Sequence, residues 1–214
     1  METRKSEKGK LITFEGPEGS GKSTQSKLLC EYLRGEGIPF TYAREPGDTK
    51  IGEKIRKILL DPATVSMGQR CECLLFMAAR AQLVEEVVGP ALKEGKVVVL
   101  DRFTDSTIAY QGYGHNLDIE LIKNLSEFVV GELAPDLTIL LDIETEEGLK
   151  RSSAHHPQDR MEKKSANYHR MVRDGYLRLA TSEPERIKLI SVRDDINETQ
   201  RLVREEVNKI IYKL

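Results

Sequence analysis

Short apolar runs alternate with longer helix-like stretches along this chain, and the alternation predicts its fold. Five short runs predict β-strands, at residues 11–14, 40–43, 97–100, 137–141 and 187–190. Apolar residues at helical spacing predict helices at residues 22–34, 51–59, 68–93 and 196–211. Strands separated by helices are typical of βαβ units, so we expect a three-layer α/β protein in which helices flank a five-stranded parallel sheet.

Length and composition indicate the class of protein. The chain has 214 residues, of which 39% are hydrophobic and 32% charged, and this suits one globular domain. We predict a charged, disordered tail at residues 1–9 and a domain over residues 10–214, with a short mobile lid at about residues 150–162. Because we find neither a signal peptide nor a run of ~18 apolar residues, we expect a cytoplasmic protein with no membrane partner.

The charge balance argues against a broad basic surface. The chain has 33 lysines and arginines and 35 aspartates and glutamates, whereas nucleic-acid-binding proteins usually carry a clear basic excess. We therefore expect no nucleic-acid partner, and any anion must be bound by a few aimed side chains. The three cysteines, Cys30, Cys71 and Cys73, contain no C-x-x-C pair and predict neither a disulfide framework nor a zinc site.

A phosphate-binding motif follows the first predicted strand. Residues 16–23 match G-x-x-x-x-G-K-[ST] in full, between a strand and a helix. In such a P-loop, backbone N–H groups surround phosphate oxygens and the next helix presents its positive end to them. Lys22 can reach the β- and γ-phosphates of a nucleoside triphosphate. The predicted ATP-binding residues of this segment are Gly16, Pro17, Glu18, Gly19, Ser20, Gly21, Lys22, Ser23 and Thr24.

A magnesium site would need an acidic residue beside that loop. Asp101 follows the buried run at residues 97–100, where a Walker-B carboxylate would lie. Asp142 ends the next run and is the alternative, but Arg102 beside Asp101 would face the same phosphates. We therefore predict Ser23 and Asp101 as the metal ligands.

Further motifs distinguish this chain from other P-loop proteins. No guanine-reading N-K-x-D motif occurs, and five motifs follow in order at residues 44–47 (REPG), 75–80 (LFMAAR), 101–103 (DRF), 106–112 (STIAYQG) and 175–180 (GYLRLA). Together they resemble thymidylate kinase, the P-loop enzyme that phosphorylates dTMP to dTDP in dTTP biosynthesis. The resemblance covers the chain from Lys10 onward, and it implies a P-loop kinase fold with ATP as phosphoryl donor, Mg²⁺ as cofactor and dTMP as substrate.

The resemblance also implies residues for the phosphate and sugar. Arg44 and Arg102 would hold the monophosphate of dTMP, and Arg80 would lie by its base and phosphate. Guanidinium groups suit this role because they form paired, charge-assisted hydrogen bonds with phosphate. Glu18 would contact the sugar 3′-hydroxyl, since a plain P-loop has no need of an acid at that position.

The base-binding residues follow from the same motifs. Phe76 would stack on thymine, Thr107 would read the thymine edge, and Gln111 would lie close to the base. Tyr110 would lie near the deoxyribose and disfavour a ribose 2′-hydroxyl. On the ATP side, Arg193 after the last predicted strand is the expected stacking partner of adenine.

The lid departs from the family pattern. An arginine from either the P-loop or the lid completes the site in this family, and Gly19 fills the P-loop position, so a lid arginine is implied. Ser153 and His155 occupy places where arginine is common. We predict catalytic roles for Lys22, Arg102, Arg151 and Arg160. The alternative to the lid arginines is a contribution from His155 or His156 when protonated.

Two expectations concern the reaction and the assembly. Phosphoryl transfer to a phosphate needs no strong general base, because the acceptor oxygen is already anionic, so positioning and charge neutralisation should carry the rate. The helix over residues 68–93 carries more apolar surface than one sheet face requires, and by resemblance it would pack in a homodimer. The alternatives are another nucleoside monophosphate kinase and a non-catalytic ATP-binding switch.

Overall fold

The computed structural model describes residues 9–154 and 158–212 and contains the expected parallel sheet. Its five parallel strands lie in the order β2-β3-β1-β4-β5. The strands are β1 (Lys10–Glu15), β2 (Phe40–Arg44), β3 (Val97–Asp101), β4 (Leu137–Asp142) and β5 (Ile187–Ser191). The predicted fold class is confirmed, and every predicted strand lies within the observed one.

Helices pack on both faces of this sheet. Within the described residues they are α1 (Lys22–Gly35), α2 (Lys50–Leu60), α3 (Gln69–Leu83), α4 (Gly89–Lys93), α5 (Thr104–Thr107), α6 (Ile119–Val130), α7 (Thr145–Ser153), α8 (Ala166–Ser182) and α9 (Ile196–Ile211). Segments of π-helix, Val84–Val88 and Ile108–Gly114, continue α3 and α5. The predicted helix over residues 68–93 therefore exists, but a π-turn precedes Pro90, which has no N–H for the α-helical ladder.

The alternation of side chains along the strands creates the layers. Val97 and Val99 of β3 face α1 and α9, whereas Val98 and Leu100 face the helical segment from α3 to α4. These four side chains are buried, and burial of each contributes about 1.5–3 kcal/mol. A strand that is apolar on both faces must lie inside the sheet, as β3 does between β1 and β2.

The strand register brings the functional segments to one edge. Asp101 at the end of β3 pairs with Phe14 of β1 and with Arg44 of β2. The P-loop therefore starts beside Asp101, and the loop that follows Arg44 starts on its other side. Thr49 caps α2 by accepting a hydrogen bond from the Gly52 N–H (2.9 Å), which ends that loop in a fixed position.

The described part of the chain begins inside the predicted tail. Gly9, predicted to belong to the tail, is buried, and its N–H donates to the Leu92 carbonyl (3.1 Å). Residues 1–8 of the predicted tail lie outside the described residues, as do residues 155–157 of the predicted lid. In the part of the chain that the structure describes, no helix is long and apolar enough to cross a membrane.

Candidate active site

A cleft of about 520 Å³ opens at the carboxyl ends of the strands. Most of the predicted site residues line it: Glu18, Gly19, Ser20, Gly21, Lys22, Ser23, Thr24, Arg44, Phe76, Arg80, Asp101, Arg102, Thr107, Tyr110, Gln111, Arg151 and Arg193. Gly16, Pro17 and Arg160 are the predicted residues that do not line it. The tertiary structure thus brings the P-loop and the remaining motifs to a common cavity.

Glycines build the P-loop because no other residue fits there. Gly19 has a φ of 68°, and a Cβ on it would lie 2.0 Å from the carbonyl oxygen of Gly148 in α7. A Cβ on Gly148 would in turn lie 2.3 Å from the Glu18 carbonyl oxygen. This close backbone packing leaves no room for a side chain at residue 19, which is the position where a P-loop arginine would stand.

Lys22 is buried at the start of α1. Its Nζ donates to the Pro17 carbonyl (2.7 Å) and lies 3.3 Å from Ser20 Oγ. Burial and the charge of Arg102 lower the pKa of Lys22 to about 8, so the amine still carries its proton at neutral pH. A buried cation inside a ring of backbone N–H groups is suited to phosphate.

The two candidate magnesium carboxylates have different environments. Ser23 Oγ donates a short hydrogen bond to Asp101, so a hydroxyl and a carboxylate lie together beside the P-loop. Asp142 instead forms a bidentate ion pair with Arg173, at 2.7 and 2.9 Å. Of the two carboxylates, Asp101 is therefore the one positioned to share a cation with Ser23.

Arg102 occupies the centre of the cleft in a strained conformation. Its φ of 72° lies in the left-handed region, which costs about 1–3 kcal/mol for a residue with a side chain. Its guanidinium donates to Glu18 (3.1 Å) and to the hydroxyls of Tyr110 (3.0 Å) and Tyr176 (3.2 Å). Backbone strain that many contacts hold in place is typical of functional sites, so Arg102 is a candidate site residue.

Two glutamates near Arg102, Glu18 and Glu15, have pKa values shifted in opposite directions. Burial opposes ionisation of Glu18, but Arg102 and Lys22 lower its pKa to about 2. Glu15 is fully buried and accepts hydrogen bonds from Ser106 Oγ (2.6 Å) and the Phe103 N–H (2.7 Å). Burial, followed by the charge of Asp105, raises the pKa of Glu15 to about 7.

The helix α3 supplies the far side of the cleft. Phe76 and Arg80 are four residues apart, so both face the cleft from the same side of the helix. Arg80 is 2% exposed, and its Nε donates to Glu45 at 2.8 Å. Burial raises the pKa of Glu45 to about 7, an effect that Arg80 opposes.

Arg44 is the outermost arginine of the cleft. It is 44% exposed and pairs with Asp48 (3.3 Å) and Glu53 (3.1 Å). Arg56 lies nearby, lines the same cleft and donates to the Pro46 carbonyl (2.7 Å). Exposed ion pairs of this kind are weak, so Arg44 can exchange its partners for an anion.

The two predicted lid arginines differ in position. Arg151 lines the cleft and pairs with Glu147 (2.9 Å) and with the exposed Asp194 (3.6 Å). Arg160 is 6% exposed and directs its NH1 to Glu72 at 2.5 Å, away from the P-loop. The structure therefore does not bring Arg160 to the phosphate site, because a buried carboxylate holds its charge.

Comparison with known proteins shows what this arrangement belongs to. The sequence model of "Thymidylate kinase" matches residues 14–203. The chain is 45% identical to the thymidylate kinase of Symbiobacterium thermophilum, covering 94% of each chain, and 44% identical to that of Halothermothrix orenii, covering 96% of this chain and 100% of the relative. A crystal structure of thymidylate kinase from Ehrlichia chaffeensis superposes with a TM-score of 0.78 at 32% identity, covering 94% of this chain and 100% of the other.

The chain belongs to the thymidylate kinase family. Membership confirms the predicted family, enzyme class and activity: a thymidylate kinase is a phosphotransferase that makes dTDP from dTMP with ATP. The rival expectations of another monophosphate kinase and of a non-catalytic switch are set aside.

Several residues of this thymidylate kinase site were not singled out by the sequence analysis. Glu15, Glu45, Glu72 and Tyr176 are all buried. The last three pair with the predicted residues Arg80, Gln111 and Arg102 in that order, whereas Glu15 contacts Tyr176. Glu45 and Tyr176 lie inside the quoted motifs, so a signal for them existed. Glu72 had none, because an acid in the first turn of a helix is also the ordinary complement of the helix dipole. The histidines His155 and His156 lie outside the described residues.

Proposed function

We propose that this chain binds ATP at its P-loop and dTMP beneath α3, and transfers the γ-phosphoryl group between them within the cleft. The observation that carries the proposal is that Lys22 and the arginines Arg44, Arg80 and Arg102 line the same cavity as Phe76. A phosphate loop on one side and an aromatic with several guanidinium groups on the other suit two phosphorylated ligands placed head to head.

On the acceptor side, Arg102 and Arg44 hold the monophosphate of dTMP. Arg102 is fixed by Glu18 and its tyrosine partners, whereas the exposed Arg44 can move onto an arriving phosphate. Glu18 also receives the sugar 3′-hydroxyl, and Tyr110, whose hydroxyl donates to Glu18 (2.7 Å), limits space near the 2′ carbon. These contacts place one anionic phosphate oxygen opposite the P-loop.

The base pocket uses the residues of α3 and of the π-helical segment. Phe76 stacks on thymine, with Arg80 beside the ring and Thr107 at its edge. Gln111 completes the pocket next to Thr107. Stacking on an aromatic ring contributes about 1–3 kcal/mol per base. The polar side chains of Arg80, Thr107 and Gln111 provide the selectivity between bases.

On the donor side, the P-loop residues 16–24 bind the phosphates of ATP. Lys22 reaches the β- and γ-phosphates, and the N-terminus of α1 faces them. Arg193, whose N–H donates to Thr199 Oγ1 (3.0 Å), lies where adenine can stack on its guanidinium. Arg151 supplies the lid charge that Gly19 cannot.

The residues present fit a magnesium ion. Mg²⁺ prefers oxygen ligands and usually takes one or two from protein, with phosphates and water completing the shell. The Ser23 hydroxyl and the Asp101 carboxylate, already in contact, would be those two ligands. When bound, the ion neutralises charge on the β- and γ-phosphates.

The reaction then needs little from acid–base chemistry. The acceptor oxygen of dTMP is anionic, so positioning it in line with the γ-phosphorus is the main task of Arg102 and Arg44. Lys22 and Arg151 disperse the charge that develops on the migrating phosphoryl group. The raised pKa of Glu15 and the low pKa of Glu18 keep only one of these two neighbouring acids ionised below neutral pH.

We also propose that the enzyme is a homodimer built on α3 and α6. Phe128 of α6 is 87% exposed, and Leu121 of α6 and Leu74 of α3 are each more than half exposed. Large apolar side chains grouped on adjacent helices are typical of a covered surface. Sedimentation at micromolar concentration tests this, and a monomeric mass would contradict it.

The cytoplasmic location stays a prediction.

A coupled assay with ATP and Mg²⁺ tests the function directly. We expect rapid turnover of dTMP, slower turnover of dUMP and little with dCMP, UMP or AMP. Turnover of AMP but not dTMP would overturn the assignment, and no turnover of any acceptor would favour an ATP-binding switch. A Lys22→Ala variant, which should be inactive, is the control for contaminating kinases.

A further inference from the structure

A buried carboxylate, Glu72, gathers three side chains behind the base pocket. It lies one helical turn before Phe76 on α3 and is 1% exposed. Its Oε1 accepts hydrogen bonds from Gln111 Nε2 (2.9 Å) and His115 Nε2 (2.9 Å), and its Oε2 accepts one from Arg160 NH1 (2.5 Å). Burial opposes its ionisation, but these donors lower the pKa of Glu72 to about 2. At neutral pH this side chain is therefore an acceptor only.

This contact decides which way the Gln111 amide faces. A carboxylate can only accept, so the amide nitrogen must point to Glu72 and the amide oxygen must point elsewhere. Gln111 lines the cleft, and its Oε1 has no hydrogen-bond partner among the described residues. A reversed amide would set two acceptor oxygens against each other at hydrogen-bond distance. The group that Gln111 offers to the cleft is consequently its carbonyl oxygen.

Arg160 holds Glu72 from the opposite side. Its backbone N–H donates to the Leu60 carbonyl (3.1 Å) and its Nε to the Leu59 carbonyl (2.7 Å), so the last turn of α2 fixes the side chain. The guanidinium then reaches Glu72, with its NH2 buried and without a partner in the described part of the chain. A charge held by so many contacts is poorly placed to move onto ATP.

We infer that Glu72 is a positioning residue for base recognition, which orients the Gln111 amide so that its carbonyl oxygen faces the nucleobase, and that Arg160 holds Glu72 in place. The inference rests on the proposed function, because it takes the space beside Gln111 as the base pocket. Thymine carries a hydrogen on N3 and can donate to that oxygen. Cytosine has no hydrogen on N3, so its N3, a hydrogen-bond acceptor, would face the Gln111 carbonyl oxygen, another acceptor. This arrangement therefore disfavours cytosine.

The test is a double-mutant cycle between Glu72→Gln and Gln111→Ala. The measured quantities are the KM for dTMP, the inhibition constant of dCMP against dTMP, and the KM for ATP. In Glu72→Gln the new amide can donate as well as accept, so the Gln111 amide can flip by about 180°. We therefore expect the preference for dTMP over dCMP to fall about tenfold while the KM for ATP is unchanged. In the Gln111→Ala background, the same substitution should change the preference no further.

Controls separate this inference from general damage and from the proposed function. Glu205→Gln on α9, an exposed acid paired with Arg201, should leave all three constants unchanged. An unchanged preference in Glu72→Gln, or equal changes in the constants for ATP and dTMP, would overturn the inference. If Glu72→Gln melts below the assay temperature, Glu72→Asp replaces it. This variant must then show part of the expected fall in the preference for dTMP over dCMP. A wild-type enzyme that does not phosphorylate dTMP defeats the proposed function itself.

Arg160 is tested against Arg151. If Arg160 acts through Glu72, Arg160→Ala should raise the KM for dTMP about tenfold and leave kcat within about threefold of the wild type. Arg151→Ala should instead lower kcat about 10²-fold. A fall in kcat for Arg160→Ala with an unchanged KM for dTMP would show the catalytic role predicted from the sequence and overturn the inference. Arg201→Ala on α9 is the matched control.

Discussion

The two ends of the cleft are built in different ways. The donor end is made from consecutive residues of the P-loop, where backbone groups and Lys22 face the ligand and glycines provide the space. The acceptor end is made from side chains of separate elements, and buried acids hold them: Glu45 pairs with Arg80, and Glu72 accepts from Gln111. At the donor end Gly16 and Gly19 leave no room for a side chain, and at the acceptor end a buried charge needs its partner.

The largest effect is expected at the donor end. Lys22→Ala removes a buried cation of the P-loop that would face the β- and γ-phosphates, so kcat should fall about 10³-fold. The melting temperature should stay close to that of the wild type, because the hydrogen bonds of the Lys22 ammonium among the described residues are to Pro17 and Ser20 of its own loop. Steady-state kinetics with saturating dTMP and thermal melting check both parts, and a kcat within tenfold of the wild type would contradict the assignment.

At the acceptor end, the loss of one charge should affect folding. Arg80→Met leaves Glu45 buried without its partner, and we expect the free energy of unfolding to fall by about 3 kcal/mol at pH 8, where the carboxyl of the wild type is ionised. The double variant Glu45→Gln with Arg80→Met leaves no charge behind and should recover most of this loss. Urea unfolding measures both. A double variant as unstable as the single one would show that packing, and not charge, explains the effect.

The close packing of the P-loop can be broken by one methyl group. Gly19→Ala combines a left-handed φ with a Cβ 2.0 Å from the Gly148 carbonyl oxygen, and should cost about 3 kcal/mol of stability. Gly37→Ala is the matched control, since Gly37 also has a positive φ (69°) but its Cβ would meet nothing within 4 Å. The difference between the two variants isolates the contact with α7, and equal losses would contradict it.

The smallest effect concerns Glu15, which lies between the two ends. Its pKa is raised from 4.5 to about 7, so its protonated form stabilises the fold fully below pH 4.5, and this contribution is lost as the pH rises through 7. Between pH 5 and 8 we expect the wild type to lose about 2 kcal/mol more stability than Glu15→Gln. Denaturant melts at both pH values check the difference, and parallel losses in the two proteins would contradict it.

Much of the site could be predicted because its residues stand in local motifs. The P-loop that contains Lys22 and Ser23 follows β1, and Asp101 ends β3; the apolar runs of both strands are visible in the sequence, and parallel strands bring their carboxyl ends to one edge. Helices α6, α7 and α8 were not predicted. In α8 the buried face includes Tyr168, His169 and Tyr176, whose polar atoms interrupt the apolar periodicity that marks a helix.

The partners of Arg160 could not be predicted from local sequence patterns. A lid segment with few arginines predicted that each of them would act on ATP, since only the residue type and its approximate place were known. The structure holds its guanidinium between the Leu59 carbonyl of α2 and the carboxylate of Glu72, contacts that link residues 101 and 88 positions apart. No local pattern reports such partners, because long-range contacts leave no periodicity.

The sequence by itself determined the five strands, the P-loop and the family of this enzyme. These depend on short-range rules: apolar periodicity, glycines where a side chain cannot fit, and motifs whose spacing places them on a turn. Only the tertiary structure decided which charges face the ligands and which neutralise one another. An arginine has the same sequence signature in both roles, and the burial and partners that distinguish them arise from residues far apart in the chain.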